Sequence, residues 1–289
     1  MRSLTVVKAG PLTTVQDLGR PGLAYLGVPR AGAVDEPALR LANRLVGNAE
    51  DAAGLECTLL GPTLRAETAL TVALTGAPAK STVDGQPADH GVPVRLPVGA
   101  TLRIGPARAG LRGYLAVAGG IDVPPVLGSR STDTLSGLGP APLRDGDVLP
   151  VGQQVGKATP EAAPPFPSAA AVELRVHPGP RVDWFTDAAW ARLVSAEYTV
   201  SPTSNRVGAR LAGPALERAV RGELPSEGLV SGAVQVPAGG EPLIFLADHP
   251  TTGGYPVIAV VDPGDLARVA QARPGTVVRF REVSDGPQQ

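Results

Sequence analysis

This sequence predicts a mainly β fold, a barrel or a sandwich, and three observations predict it. Its apolar residues fall in short, valine-rich runs, several of them alternating with polar residues as a half-buried strand does. Its 36 glycines and 31 prolines are spread between those runs and supply the turns that short strands need. Only a few short stretches carry the start and stop signals of a helix. With 289 residues the chain exceeds the usual single domain, so one large or two moderate domains are expected, with a sizeable core.

Residues 4–7 open the chain as a strand, and residues 69–75 form a buried one. Residues 93–96 and 100–104 alternate apolar and polar positions, whereas 113–118 is apolar throughout and marks a central strand. The clearest helix is DEPALRLANRLVG: Asp35 caps it and Pro37 sits in the first turn. Leu39, Ala42, Leu45 and Val46 share one face, and Gly47 ends it. The stretch KATPEAAPPFPSAAA has proline and alanine without periodicity and reads as an extended connector. The expected organisation is a β-rich domain at 1–156, a linker at 157–171 and a second β domain at 172–289. In that second part, 173–176 and 276–280 read as strands. Residues 186–195 read as a helix with Trp190, Leu193 and Val194 inward. A further helix opens on Asp262 and Pro263, buries Leu266, Val269 and Ala270, and ends at Pro274-Gly275.

Composition excludes several functions. A net charge of −1 offers nucleic acid or anionic lipid no basic surface, and 3% aromatic residues make a poor base-stacking platform. A lone Cys57 cannot form an intramolecular disulfide, so a reducing, cytoplasmic compartment is expected. The start lacks the apolar core of a secretory signal, and no apolar stretch approaches the ~20 residues that span a bilayer. There is no Walker-type phosphate loop. His90, His177 and His249 lie far apart without metal-ligand spacing, so no metal is expected. Cys57 sits among apolar residues as a packing side chain. Lysine occurs only at positions 8, 80 and 157, none in the hairpin context of a biotin or lipoate carrier, so no covalently bound cofactor is expected.

The candidate chemistry lies in polar loops. TTVQDLGRPG holds Asp17 and Arg20, and GVPRAGAVDEPA places Arg30 just before a helix start, where anions are favoured. VLGSRSTDTLSGLG holds Arg130 and Thr132, giving Arg20, Arg30, Arg130 and Thr132 as possible anion contacts. SPTSNRVGARLAGP carries Asn205 and Arg206, and the following long segment carries Glu227 and Gln235. ADHPTTGGYPVIAVV, residues 247–261, crowds Asp248, His249, Thr251, Thr252 and Tyr255 into what reads as a turn between two strands. Each of these residues has a plain structural alternative, as a turn former, a cap or a core residue with a satisfied hydroxyl. Hydroxyls and backbone N–H groups on a Gly-Gly turn are, even so, the parts that grip a carboxylate, carbamate or amide.

TTVQDLGRPG, GVPRAGAVDEPALRLANRLVGN, RGYLAVAGGIDVPPVLGSRSTDTLSGLG, SNRVGARLAGP and SEGLVSGAVQVPAGGEPLIFLADHPTTGGYPVIAVV run in order across almost the whole chain. Together they resemble the biotin-dependent carboxyltransferase family that includes the allophanate hydrolase subunit 2 type, the C-subunit of bacterial 5-oxoprolinase and the Kip antagonist. They also resemble the second half of the urea carboxylase carboxyltransferase domain. The resemblance implies cyclophilin-like β-barrel domains with a few short helices, and a partner like the Kip inhibitor, of the allophanate hydrolase subunit 1 type. A LamB/YcsF-like third subunit, a small amide substrate and ATP as co-substrate are implied by the 5-oxoprolinase branch. Biotin on a partner chain is implied by the urea branch.

Carried onto this sequence, the resemblance gives Asn205 and Arg206 the task of binding substrate oxygen or phosphate, and Gln235 that of orienting an amide. Asp248, Thr251 and Thr252 line the pocket, with Glu227 and Tyr255 beside them; His249 stands where an uncharged residue is expected. No catalytic base is identified. Three functions follow: a subunit of an ATP-dependent 5-oxoprolinase, a carboxyltransferase subunit acting on urea or a related amide, or a non-catalytic antagonist of a histidine-kinase inhibitor. Prolyl isomerase activity is not expected, since a shared fold does not carry a shared site. Thr252→Val and Asp248→Asn are both expected to abolish activity with folding intact.

Overall fold

The computed structural model describes residues 2–154, 156–158, 161, 163, 164, 166 and 171–283. The chain divides into two units: Met1–Pro21 with Ala31–Ser168, and Gly22–Arg30 with Ala169–Gln289. Within the proline- and alanine-rich connector, positions 159, 160, 162, 165 and 167–170 lie outside the described residues.

The first unit is built on two sheets. One runs Val148–Pro150, Ser3–Lys8, Thr63–Ala66, Thr101–Ala107, Ala79–Val83, Gln86–Ala88. The other runs Thr13–Gln16, Gly54–Thr58, Arg112–Val117, Leu70–Gly76, Pro93–Leu96. Alternation along the strands assigns each side chain a layer. Leu115 and Val117 join Val72 and Leu74 in the apolar core shared with Leu4, Val6, Leu64 and Leu102 of the first sheet. The intervening Ala116 and Ala73 face the opposite way, onto Leu41, Ala42, Leu45 and Val46 of the helix Glu36–Val46. Alanine under the helix allows close approach, and burial on both faces explains why 113–118 reads as apolar throughout.

That helix follows its sequence signals. Asp35 accepts the Ala38 N–H (3.1 Å), Pro37 occupies the first turn, and Gly47 closes the helix at φ +76°. The Lys157 carbonyl carbon lies 2.6 Å from where a Gly47 Cβ would stand, so any side chain there meets both backbone strain and a clash.

The second unit is a closed seven-stranded barrel: Ala171–Pro178, Val257–Val261, Ala233–Gln235, Leu243–Phe245, Gly208–Ala212, Glu197–Val200, Val277–Glu282. The last strand pairs in parallel with the first, from Ala171 opposite Val277 to Val176 opposite Glu282, and closes the barrel. The expected mainly β architecture with short helices therefore holds. Two helical expectations shift. In Asp187–Ser195, capped by Thr186, the buried face is Ala189 and Leu193, one turn apart; Trp190 and Val194 are only half-buried. The stretch after Asp262 begins as a 3-10 turn, Pro263–Asp265, and its α-helix spans only Leu266–Ala270, with Leu266 half-buried.

One correction bears on the site. Strands Leu243–Phe245 and Val257–Val261 are not neighbours, because each pairs with Ala233–Gln235, which lies between them. Residues 246–256 are therefore a crossover past the end of that middle strand, not a hairpin turn. Two apolar runs joined by turn residues are adjacent in sequence, but a third strand takes the pairing.

Candidate functional site

The crossover is fixed at three points. At its start, Arg206 grips Asp248 with two parallel hydrogen bonds, Nε to Oδ2 at 3.0 Å and Nη2 to Oδ1 at 2.9 Å. Their side chains are 2% and 0% exposed. Backbone bonds run beside this pair, from the Asp248 N–H to the Arg206 carbonyl (3.1 Å) and from the Leu246 N–H to the Val207 carbonyl (2.9 Å). A planar guanidinium facing a carboxylate fixes orientation as well as distance. Asp248 and Arg206 thus serve to seat the loop.

In the middle, Thr252–Gly253 pairs antiparallel with Glu227–Gly228, and the Leu229 N–H donates to the Thr251 carbonyl (2.9 Å). Glu227 is clamped by the Arg181 guanidinium, through Nε at 2.9 Å and through Nη2. The hydrogen bonds from Arg181 hold the Glu227 carboxyl below the usual carboxylate range, so it stays ionised at neutral pH. The sequence does not mark Arg181 as a site residue: it follows a Pro-Gly-Pro turn, and no spacing links it to a glutamate 46 positions on.

At the far end, Gln235 is 4% exposed and its Nε2 donates to the Tyr255 carbonyl (2.9 Å). A register shift between Val234 and Gln235 in the pairing with Val257–Val261 interrupts the ladder there, a local feature that re-aims a side chain. Gly253 makes room: a Cβ there would stand 2.9 Å from Gln235 Nε2 and 2.8 Å from Leu229 Cδ1. Neither Gly253 nor Gly254 has positive φ, so close approach, not a left-handed turn, requires the first of them.

What remains for a ligand are the groups this scaffold does not consume. The hydroxyls of half-buried Thr251 and exposed Thr252 have no hydrogen-bond partner among the described residues, and neither has Gln235 Oε1. Tyr255 is 48% exposed with the Arg218 guanidinium 5.7 Å from its ring centre. The strand ends thus bring Thr251, Thr252, Glu227, Gln235 and Tyr255 together, as donors, an acceptor and an anion on one loop pair.

Asn205 and His249 are engaged otherwise. Asn205 is exposed, and its Oδ1 accepts from the Val207 (2.9 Å) and Gly208 (3.3 Å) N–H groups, a turn-forming arrangement. His249, 7% exposed, packs its ring 6.0 Å from that of Phe245, and its Nδ1 donates to the Pro250 carbonyl (2.7 Å).

In the first unit, Asp17 ties together the loops that carry Arg20 and Arg130. Asp17 accepts from Ser129 Oγ (2.6 Å), Ser131 Oγ (2.5 Å) and the backbone N–H of Gly19 and Arg130. Arg20 donates to the carbonyls of Val126 and Ser131, Arg130 pairs with Asp122 at 2.8 Å, and Thr132 is buried. Arg30 is exposed. Cys57 is a packing residue, 6% exposed, with burial pushing its thiol up to about 12. Among the described residues no group of His, Cys, Asp and Glu side chains is arranged to hold a metal, and no helix is long and apolar enough to cross a membrane.

The chain is thus a closed barrel carrying a seated polar crossover, joined to a two-sheet β unit. The chain belongs to the family described as carboxyltransferase domain, subdomain A and B, whose model matches residues 26–282. It is 41% identical to the 5-oxoprolinase C-subunit of Escherichia coli over 284 residues, which cover 97% of this chain and 91% of that one. The solved structure of TTHA0988 superposes with a TM-score of 0.89 at 41% identity, covering 97% of this chain but 56% of the other. The K. lactis urea amidolyase superposes with a TM-score of 0.91 at 32% identity, and there this chain spans 19% of a much longer protein.

Proposed function

We propose that this chain is a subunit of a heteromeric, ATP-dependent amide hydrolase of the 5-oxoprolinase type, which opens the ring of 5-oxoproline to glutamate, and that it is inactive alone. The observation that carries this reading is the match to the 5-oxoprolinase C-subunit, which runs nearly the full length of both chains. The loop chemistry supports it. The Thr251 and Thr252 hydroxyls are fixed donors for the oxygen of a small amide, where negative charge builds as the carbonyl is attacked. Gln235 Oε1 accepts from the amide N–H, and its orientation is set by the bond its Nε2 makes to Tyr255. ATP supplies the driving force for opening a stable lactam. The partners are a Kip-inhibitor-like subunit and a LamB/YcsF-like subunit.

A second reading is favoured by the family description and by the urea amidolyase superposition: transfer of a carboxyl group, delivered as carboxybiotin on another chain, to urea or a related amide.

Co-expression with the two partner subunits and an assay of glutamate release from 5-oxoproline separates the readings. The expected result is ATP-dependent release that needs all three chains and is unaffected by avidin. A verified complex with no such turnover overturns the proposal, and avidin-sensitive carboxylation of urea would replace it with the second reading.

A further inference from the structure

The barrel unit carries a concavity that the crossover loop does not line. It is an open cleft of about 530 Å³, within the size range of small-molecule sites, lined by residues of 215–222 and 237–240 and by Arg192. Its charged lining is Arg192, Arg218 and Arg221 against the single acid Glu217, an excess of two positive charges. Elsewhere in this unit Arg175, Arg181, Arg206 and Arg279 are ion-paired with carboxylates. None of the three cleft arginines has a carboxylate within 4.0 Å among the described residues.

Two of them are instead pinned by neutral acceptors. Arg192 Nη1 donates to the Ala215 carbonyl at 3.2 Å, and Arg218 Nη2 donates to the Val236 carbonyl while its guanidinium faces the Tyr255 ring. The Arg218 Nε–H is buried with no acceptor among the described residues. A backbone carbonyl positions a guanidinium without neutralising it, so the charge stays available for an incoming anion. The wall behind them is fixed. The Leu216 N–H donates to the Gly240 carbonyl (2.9 Å), and the Ala219 N–H donates to the Trp184 carbonyl (2.9 Å). Such prior fixing lowers the ordering cost of binding.

We infer that this cleft is an anion site for a small phosphate compound, a phosphate ester or pyrophosphate. A phosphate group carries about −1.5 to −2 charge at pH 7 and three acceptor oxygens, which matches the two-charge excess and the forked donors; a single carboxylate carries half of it. Binding here is independent of the amide-hydrolase reading, because it is measured on this chain alone and without turnover.

Of the chain's two tryptophans, Trp184 holds the wall through its backbone carbonyl and Trp190 lies on the helix that carries Arg192, so intrinsic fluorescence reports on the cleft. Titration of the full-length chain with inorganic pyrophosphate should show saturable binding. Arg218→Gln and Arg192→Gln should each weaken it by about tenfold or more, the scale of a lost charge-assisted hydrogen bond. Glutarate at matched ionic strength should bind distinctly more weakly. Unfolding midpoints of both variants are measured alongside, and one folded variant suffices for the comparison. Absence of saturation, glutarate binding as tight as pyrophosphate, or unchanged affinity in a folded variant would each overturn the inference.

Discussion

Asp248→Ala is expected to destabilise the barrel unit by about 3–5 kcal/mol, a large fraction of the stability of an ordinary domain. The Asp248 side chain is fully buried and takes both bonds from an Arg206 that is itself 2% exposed. Removing the carboxylate takes two charge-assisted hydrogen bonds from a buried guanidinium, and breaking a buried pair by deleting one member costs more than the net worth of the pair. Asp248→Asn keeps the shape but not the charge, so it is expected to cost less than alanine yet not to be neutral. The burial of the pair argues against the expectation that this asparagine variant leaves folding intact: it should lower stability as well as activity. Arg206→Met combined with Asp248→Leu is expected to recover part of the loss, because apolar replacement of both partners removes the uncompensated charge. Urea unfolding followed by tryptophan fluorescence reads this unit specifically, since both tryptophans belong to it. A shift below about 1 kcal/mol for Asp248→Ala would show that the pair contributes no more than an exposed one.

Glu56→Ala is expected to be comparably damaging in the first unit, by about 3–5 kcal/mol. Glu56, with its side chain 1% exposed, accepts from Tyr114 Oη (2.7 Å) and the Val34 N–H (3.0 Å) and lies 3.6 Å from Arg112 Nε. Tyr114 Oη in turn accepts the Asp35 N–H (2.8 Å), so the segment entering the helix Glu36–Val46 hangs on this network. Burial, first of all, and the neighbouring Glu56 carboxylate raise the Tyr114 hydroxyl well above its usual value, so it remains a donor. Tyr114→Phe should cost less, about 1–3 kcal/mol for the polar groups left unmatched. Hydrogen exchange at the Val34 and Asp35 amides should accelerate in both variants. Unchanged protection there would mean that the network does not anchor the helix.

The contrast between these networks and the helix they hold shows what a sequence reveals. Asp35, Pro37 and Gly47 act within one helix length, so their signals are local and the structure repeats them. Glu56 sits in a strand where alternation makes it look like any outward polar residue; only the covering of both sheet faces buries it. Arg206 and Asp248 are legible as polar residues in notable loops, but their mutual grip across 42 positions is not. The crossover reads as a hairpin because flanking strands adjacent in sequence are the ordinary cue for pairing. The intervening strand Ala233–Gln235 is short and set by register. What survives from the loop motif is its outer part: Thr251, Thr252 and Tyr255 keep hydroxyls that the scaffold does not use among the described residues.

The central claim, that this crossover is a substrate-binding loop and not only a connector, rests most directly on Thr252. Its side chain is exposed and without a partner among the described residues, and its backbone pairing with Gly228 does not depend on the hydroxyl. Thr252→Val in the proposed three-subunit enzyme should leave the unfolding free energy within about 0.5 kcal/mol of wild type. It should lower kcat/KM for 5-oxoproline by about tenfold or more. Full activity in a stably assembled Thr252→Val enzyme would contradict the account.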